Sequence, residues 1–350
     1  MSSRGSASDR LIFLQHLPAP AHQRPLYECL CLGYDRLILS SRGDIVRSKA
    51  LLYIVLLGVL YGSTLVVSRF SVNQFAPTTY IGLRLALASL GFAVVYGFHI
   101  NDRRWPRSGD LWSRGFLMGV FGTAAPMVGI VSGLQYLSSG LTSILITVNP
   151  ALTVLLAHVF LKDEPLTRRK GTGVLLALSG ALLLVIRGET GLPNVSFSNP
   201  VGYLFVLGGM ISGSLATVYA RKYMQNDDPF DVTGIRMFVG AFAVLPLAFL
   251  VDGLDVSRVD RWGVLALIFA AIVGTFLGML LSFYNIQRFG ATAAVMTSYV
   301  IPVVAGLIGV IFLNEQFTWG MAAGVSLISI GVWLINSTSK PEPIGATAAG

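Results

Sequence analysis

Long apolar runs separated by short polar stretches divide most of the chain. Each run is about twenty residues long, the length that a helix needs to cross roughly 30 Å of hydrocarbon. The pattern predicts ten membrane-spanning helices, over residues 50–70, 79–98, 115–136, 140–161, 171–187, 200–221, 232–251, 262–285, 291–313 and 317–336. We therefore expect an all-α integral membrane protein with both termini on one side.

Composition and charge agree with this interpretation. Only 12% of the residues are charged, whereas a soluble domain carries about 25%. The net charge of +8 does not indicate a nucleic-acid partner, because the positive residues lie at the ends of apolar runs and form no basic face. With the termini inside, the inner segments from residue 42 onward hold 15 Lys and Arg and the outer segments hold four. This asymmetry predicts cytoplasmic termini, and we expect a multi-pass protein of a bacterial inner membrane.

The fourth run contains Asn149-Pro150 near its middle. Proline removes a backbone hydrogen bond and kinks a helix, and the freed carbonyls need partners inside a membrane. We expect a kink here and a second one at Pro302. Thr147 and Asn149 precede the first kink, where they can meet either freed carbonyls or a solute.

The second half of the chain repeats the first at an offset of about 151 residues. Pro77 and Arg84 are seven positions apart, and so are Pro229 and Arg236. Further pairs keep the same order: Gly62-Ser63 with Gly213-Ser214, Pro150 with Pro302, and Glu164, Thr167, Gly173 and Gly180 with Glu315, Thr318, Gly324 and Gly331. Five spans per half place the second half in the membrane upside down, as in inverted-topology repeats.

This organisation predicts four segments. Residues 1–49 form a cytoplasmic tail expected to lack order, 50–187 the first repeat with spans 1 to 5, 200–337 the second repeat with spans 6 to 10, and 338–350 a second cytoplasmic tail.

These motifs make the chain resemble the drug/metabolite transporter superfamily, in particular its ten-span members with two EamA-type domains. The resemblance covers about residues 50–337 and rests on Tyr61-Gly62-Ser63, Pro77 with Arg84, Gln135-Tyr136, Pro150, and Glu164-Pro165-Leu166-Thr167 with Gly173 and Gly180. It implies a ten-helix bundle whose central cavity is lined mainly by spans 1, 3, 4, 6, 8 and 9. It also implies transport of small metabolites, frequently outward. Tyr61 departs from the tryptophan that the family often has.

The spans carry few ionisable groups. Every Asp and Glu lies in a tail, a loop or a span end, which argues against coupling to protons or sodium through a buried carboxylate. His158 lies near an inner span end; either it meets the interface or a neighbouring carbonyl, or it carries protons. No nucleophile, acid–base or metal constellation is evident, so we expect no enzyme activity, cofactor or metal.

Arg84 and Arg236 each lie five or six residues inside a span, where arginine needs a partner. One hypothesis pairs them across the repeats, as Arg84–Glu315 and Arg236–Glu164. Alternatively, each Glu complements the N-terminus of span 5 or 10, with Thr167 or Thr318 as N-cap. A third interpretation has an arginine bind an anionic substrate.

Polar and aromatic side chains at mid-depth are the candidates for lining a substrate cavity, with helix–helix hydrogen bonding as the alternative for each. They are Ser63, Thr64, Gln135, Tyr136, Thr147, Asn149, Thr217, Tyr219, Ser282, Asn285, Ser298 and Tyr299.

The resulting functional hypothesis is a secondary transporter, an exporter or facilitator of small organic metabolites such as amino acids, with alternating access between the repeats. A sugar-phosphate or nucleotide-sugar carrier and a non-transporting membrane partner protein are the alternatives. The expected partners are a small-molecule substrate and the lipid bilayer, with a homodimer left open and no nucleic acid.

Overall fold

The computed structural model, which describes residues 50–161, 164–193, 199–289 and 291–337, contains ten helices long and apolar enough to cross a membrane. We number them α1 to α10: Ala50–Ser71, Pro77–Gly97, Gly109–Gly133, Ser139–Phe160, Arg168–Arg187, Pro200–Tyr223, Pro229–Asp252, Arg261–Ser282, Ala291–Leu313 and Trp319–Asn336. They confirm the prediction of an all-α membrane protein built from two five-helix repeats. The predicted tails 1–49 and 338–350 lie outside the described residues.

Local sequence signals set the helix starts. Pro77, Pro200 and Pro229 occupy the first helical position of α2, α6 and α7, where a missing N–H costs nothing. Thr167 and Thr318 accept the N-cap bonds of α5 and α10 from Lys170 N and Met321 N, as predicted. The third span begins at Gly109 rather than at residue 115, because polar Asp110 and Arg114 in its first turns fall outside an apolar window.

Two helices change their winding at equivalent places in the repeats. In α3, residues Val120–Ala124 are π-helical, and in α8 residues Ala270–Leu277 are π-helical. Such turns shift the backbone hydrogen bonding by one residue and often occur at functional sites. The sequence analysis predicted neither.

The two mid-span prolines behave differently. Helix α4 is interrupted, because one helical segment ends at Ile146 and the next begins at Asn149, so the predicted break before Pro150 is confirmed. Helix α9 continues through Pro302. Proline 302 cannot donate to the carbonyl of Ser298 four residues earlier. That carbonyl lies 3.3 Å from Thr147 Oγ1, whose single proton is shared with the Ser143 carbonyl at 3.0 Å.

The densest packing joins α5 to α10 across the repeats. A Cβ atom added to Gly173 would lie 2.5 Å from the Gly331 carbonyl oxygen, and one added to Gly331 would lie 2.5 Å from the Gly173 carbonyl oxygen. Only glycine permits such close backbone approach. Glycine at both positions therefore lets the two backbones pack directly against each other.

The perimeter of the described bundle is apolar. Phe242, Leu250 and Ile186 are each at least 75% exposed. Large apolar side chains pointing outward on every side are what a lipid environment requires.

Candidate functional site

A cavity of about 160 Å³ lies between the two repeats. Helices α1 to α4 and α8 and α9 form its wall, so α2 contributes where the family resemblance had implied α6. The polar part of the wall comprises Tyr61, Thr64, Ser68, Arg84 and Thr275. The remainder comprises Leu65, Met127, Ile130, Val131, Ile146, Gly274, Met279 and Ile301. An apolar cavity with a few convergent polar groups is the usual form of a small-molecule site.

Among the described residues that line this cavity, Arg84 is the only charged one, and it is 8% exposed. Its Nε donates to Thr275 Oγ1 at 2.7 Å, and its Nη1 donates to Ser68 Oγ at 3.2 Å. Within the described part of the chain, no carboxylate forms an ion pair with it. The cation is thus fixed in orientation by hydroxyl groups while its charge is not neutralised.

Arg236 occupies the equivalent place in the second repeat. Its Nε donates to Thr123 Oγ1 at 3.0 Å, and its Nη2 donates to the Gly122 carbonyl at 2.7 Å. Arg236 does not line the 160 Å³ cavity. The repeats therefore share the arginine–threonine contact but differ in what surrounds it.

The π-helical turns explain why threonine is the partner. Thr275 Oγ1 donates to the Ala270 carbonyl at 2.9 Å, and Thr123 Oγ1 lies 3.5 Å from the Met118 carbonyl, each five residues back. A hydroxyl can donate one bond and accept others, so each threonine accepts from an arginine at the same time. These contacts tie α2 to α8 and α7 to α3.

The structure corrects the two predicted ion pairs, which were Arg84 with Glu315 and Arg236 with Glu164. The buried Glu315 carboxylate instead accepts from Ser139 N at 2.7 Å, from Ser139 Oγ at 2.8 Å and from Gly140 N at 3.2 Å. These N–H groups begin α4 and have no partner inside that helix. Glu315 thus complements a helix N-terminus, as the alternative proposed, but the helix is α4 rather than α10.

Glu164 pairs with two cations near it. Lys170 Nζ lies 3.1 Å and Arg221 Nη1 lies 2.5 Å from its carboxylate oxygens. Burial raises the pKa of the Glu164 carboxyl, but the hydrogen bonds and charges of Lys170 and Arg221 outweigh it, and the pKa is lowered from its ordinary value. Glu164 lies between α4 and α5, and the two cations lie in the first turn of α5 and the last turn of α6, so these ion pairs join span ends.

Most of the twelve predicted site residues do not line the cavity. Thr64 alone of the twelve lines it. Thr147 bonds to the Ser298 carbonyl, and Asn149 Oδ1 accepts from Ser214 Oγ at 2.7 Å. These contacts favour the helix–helix alternative at the kink.

The other candidates are dispersed. Gln135 and Thr217 are exposed, Ser63 donates to the Leu60 carbonyl within its own helix, and Asn285 Nδ2 donates to the Tyr53 carbonyl. The wall of the cavity does not include Tyr136, Ser282, Ser298 or Tyr299 either.

Tyr219 lines a second, apolar pocket of about 320 Å³ between α3, α4 and α6. Its wall includes Phe121, Phe160, Leu215 and, near the end of α6, Lys222. Its wall offers few polar groups, so we do not assign it a polar solute.

His158 takes the structural role weighed in the sequence analysis. The exposed ring has its Nδ1 3.2 Å from Leu166 N and 3.2 Å from the Glu164 carbonyl oxygen. The ring therefore meets the backbone of the segment that follows α4.

Sequence reasoning missed Ser68 and Thr275 as site residues and placed Arg84 elsewhere. The offset of about 152 residues that relates Arg84 to Arg236 also relates Thr123 to Thr275. That matched pair of threonines is the sequence signal that points to Thr275.

Comparison with known proteins relates the chain to one transporter family. The model of the EamA-like transporter family matches residues 48–186 and again residues 200–337. An uncharacterized transporter of Archaeoglobus fulgidus is 26% identical over 289 residues, which cover 82% of this chain and 98% of that protein. The uncharacterized transporter YoaV of Bacillus subtilis is 24% identical, covering 82% of this chain and 96% of that protein.

A solved crystal structure shares the fold. It superimposes with a TM-score of 0.59 at 20% sequence identity, covering 85% of this chain and 100% of that chain. At this identity the likeness concerns the fold alone.

Proposed function

The chain belongs to the EamA-like transporter family, and from this premise we propose that it is a secondary transporter of small organic metabolites. Transport proceeds by alternating access: the two inverted repeats move against each other and expose one site to each side in turn. The direction is export or facilitated equilibration.

The observation that carries this proposal is the cavity shared by the repeats. Four helices of the first repeat and two of the second line it. A site at a repeat interface changes its access when one repeat moves relative to the other. Arg84, Ser68 and Thr275 are joined by hydrogen bonds in an otherwise largely apolar wall, and small-molecule sites combine a few polar groups with apolar walls in this way.

The charge distribution supports a bacterial inner-membrane protein with cytoplasmic termini, because Lys and Arg concentrate in the segments on that side. Arg103 and Arg114 are examples, and both form ion pairs in the described structure, with Asp228 and Asp227. Among its described wall residues the cavity offers one cation, which disfavours a carrier of phosphorylated sugars.

Counterflow in proteoliposomes tests the proposal. Vesicles with purified protein are loaded with one unlabelled compound and exposed to its labelled form, over a panel of amino acids and other small metabolites. We expect saturable exchange of at least one class.

A matched pair of variants on α9 links the flux to the cavity. Ile301 lines the cavity and is 8% exposed, whereas Val303 faces outward and is 59% exposed. Ile301→Trp should reduce the initial rate at least about tenfold because the larger side chain occupies the site, and Val303→Trp should not. Absence of saturable exchange across the panel with folded protein, or equal loss in both variants, would contradict the proposal.

A further inference from the structure

Resting on the transport function proposed above, we propose that the cavity selects organic anions that carry a single carboxylate, and that Arg84 binds this carboxylate. The proposal names a substrate class for the site and a residue that contacts the substrate. It narrows the proposed substrates from small organic metabolites in general to monocarboxylates, and it disfavours zwitterionic amino acids.

The first argument is charge. Arg84 is 92% buried at the level of the membrane and, among the described residues, has no anionic partner. A buried cation in a membrane is costly unless paired. A monoanion in the cavity would neutralise one positive charge with one negative charge, whereas a phosphate dianion would leave an excess.

The second argument is geometry. Thr275 and Ser68 receive one N–H each from the guanidinium, and the group has five in a planar fork. Donors therefore remain for a ligand in the cavity that Arg84 lines. Arginine suits carboxylates because the fork matches both oxygens, and the two hydroxyls hold it in place before the ligand arrives.

The third argument concerns the rest of the ligand. The described wall contains no carboxylate that could pair with an ammonium group; its other polar groups are the hydroxyls of Tyr61, Thr64, Ser68 and Thr275. The rest of the cavity wall is apolar and includes the side chains of Leu65, Ile146 and Met279. The complementary molecule is thus a short aliphatic chain that ends in a carboxylate.

Arg236 provides the matched control. It makes the same bond to a threonine in a π-helical turn but does not line the cavity. A structural role of the arginine–threonine contact would affect both arginines alike, whereas substrate binding depends on Arg84 alone.

The test uses four compounds with one carbon skeleton: isocaproate, its uncharged amide, its amino derivative leucine, and isohexyl phosphate. Isothermal titration calorimetry on the purified full-length protein in detergent measures their affinities for the wild type, Arg84→Gln, Arg84→Lys and Arg236→Gln. Thermal unfolding identifies variants that do not fold. The comparison of isocaproate with its amide on the wild-type protein does not require any variant to fold.

We expect isocaproate to bind the wild type at least about tenfold tighter than the amide, since a hydrogen bond to a charged group accounts for a difference of that order. Leucine and the phosphate should bind more weakly than isocaproate. Arg84→Gln should remove the preference for the carboxylate, Arg84→Lys should retain part of it, and Arg236→Gln should keep it.

Equal affinity for acid and amide would overturn the inference, as would tighter binding of leucine or the phosphate, or loss of the preference in a folded Arg236→Gln. Failure of all four compounds to bind the folded wild type would also overturn it. The counterflow experiment is separate, so saturable exchange of an uncharged or zwitterionic compound would leave the transport function standing while this inference fails.

Discussion

Arg84 and Arg236 stand at equivalent positions of two repeats, yet their surroundings differ. Both donate Nε to a threonine in a π-helical turn of the opposite repeat. Arg84 is buried and lines the cavity, whereas Arg236 is partly exposed and spends a second donor on the Gly122 carbonyl. Duplication thus supplied one contact twice, and the divergence of its surroundings distinguishes a candidate binding group from a structural one.

The largest expected effect compares the glycines at the contact between α5 and α10. A Cβ at Gly173 meets the Gly331 carbonyl oxygen at 2.5 Å, while a Cβ at the equivalent Gly324 meets the Leu184 side chain at 2.7 Å. A backbone carbonyl cannot move aside as readily as the Leu184 side chain can. We expect Gly173→Ala to destabilise by about 3 kcal/mol and Gly324→Ala by less, measured by thermal unfolding in detergent. Equal losses would show that the two contacts adapt alike.

The next comparison removes the threonine partners. Thr275→Val leaves the buried Arg84 without its shortest bond, and we expect a loss of about 2 kcal/mol. Thr123→Val should cost about 1 kcal/mol, because Arg236 is partly exposed and keeps a 2.7 Å bond to the Gly122 carbonyl, whereas buried Arg84 would keep only its 3.2 Å bond to Ser68. The free energy of unfolding of both variants checks this, and a larger loss for Thr123→Val would reverse our assignment of the more dependent arginine.

A smaller effect concerns the two glutamates that the repeat relates. Glu315→Gln removes a buried charge from the N-terminus of α4, which should cost about 1–2 kcal/mol. Glu164→Gln removes ion pairs at span ends, which contribute less than about 1 kcal/mol. Comparing the unfolding midpoints of the two variants with the wild type tests the order.

The smallest effect is the pH dependence of the Glu164 pairs. Because the folded-state pKa of Glu164 is lowered from 4.5, its contribution is present above that value and is lost as the pH falls through the lowered folded-state pKa. The stability difference between wild type and Glu164→Gln should therefore shrink in acid. A difference that grows as the pH falls would contradict the direction of the shift.

Several features followed from the chain alone because they depend on short stretches of sequence. Ten apolar runs of the required length predict ten spans, and the ordered matches between the halves indicate the repeat. The break before Pro150 and the caps Thr167 and Thr318 are likewise local, since a missing N–H and a hydroxyl three residues before an amide act within one turn.

The partners of the charged residues could not be predicted from the chain alone. Arg84 and Thr275 are 191 residues apart, and their contact depends on the rotation and depth of α2 against α8. Glutamate was the expected partner because opposite charges attract, but Glu315 satisfies the free N–H groups of α4 instead.

The sequence by itself thus determined the membrane class, the ten spans, the inverted repeat and the family, since apolar length and spacing are properties of segments. Only the tertiary structure decided which side chains share the cavity, that the carbonyl freed by Pro302 lies beside the Thr147 hydroxyl, and that Arg84 lines the cavity while Arg236 does not. The physical reason is that helix rotation and depth are set by packing between distant segments, and a rotation of one helix replaces every residue that faces the cavity.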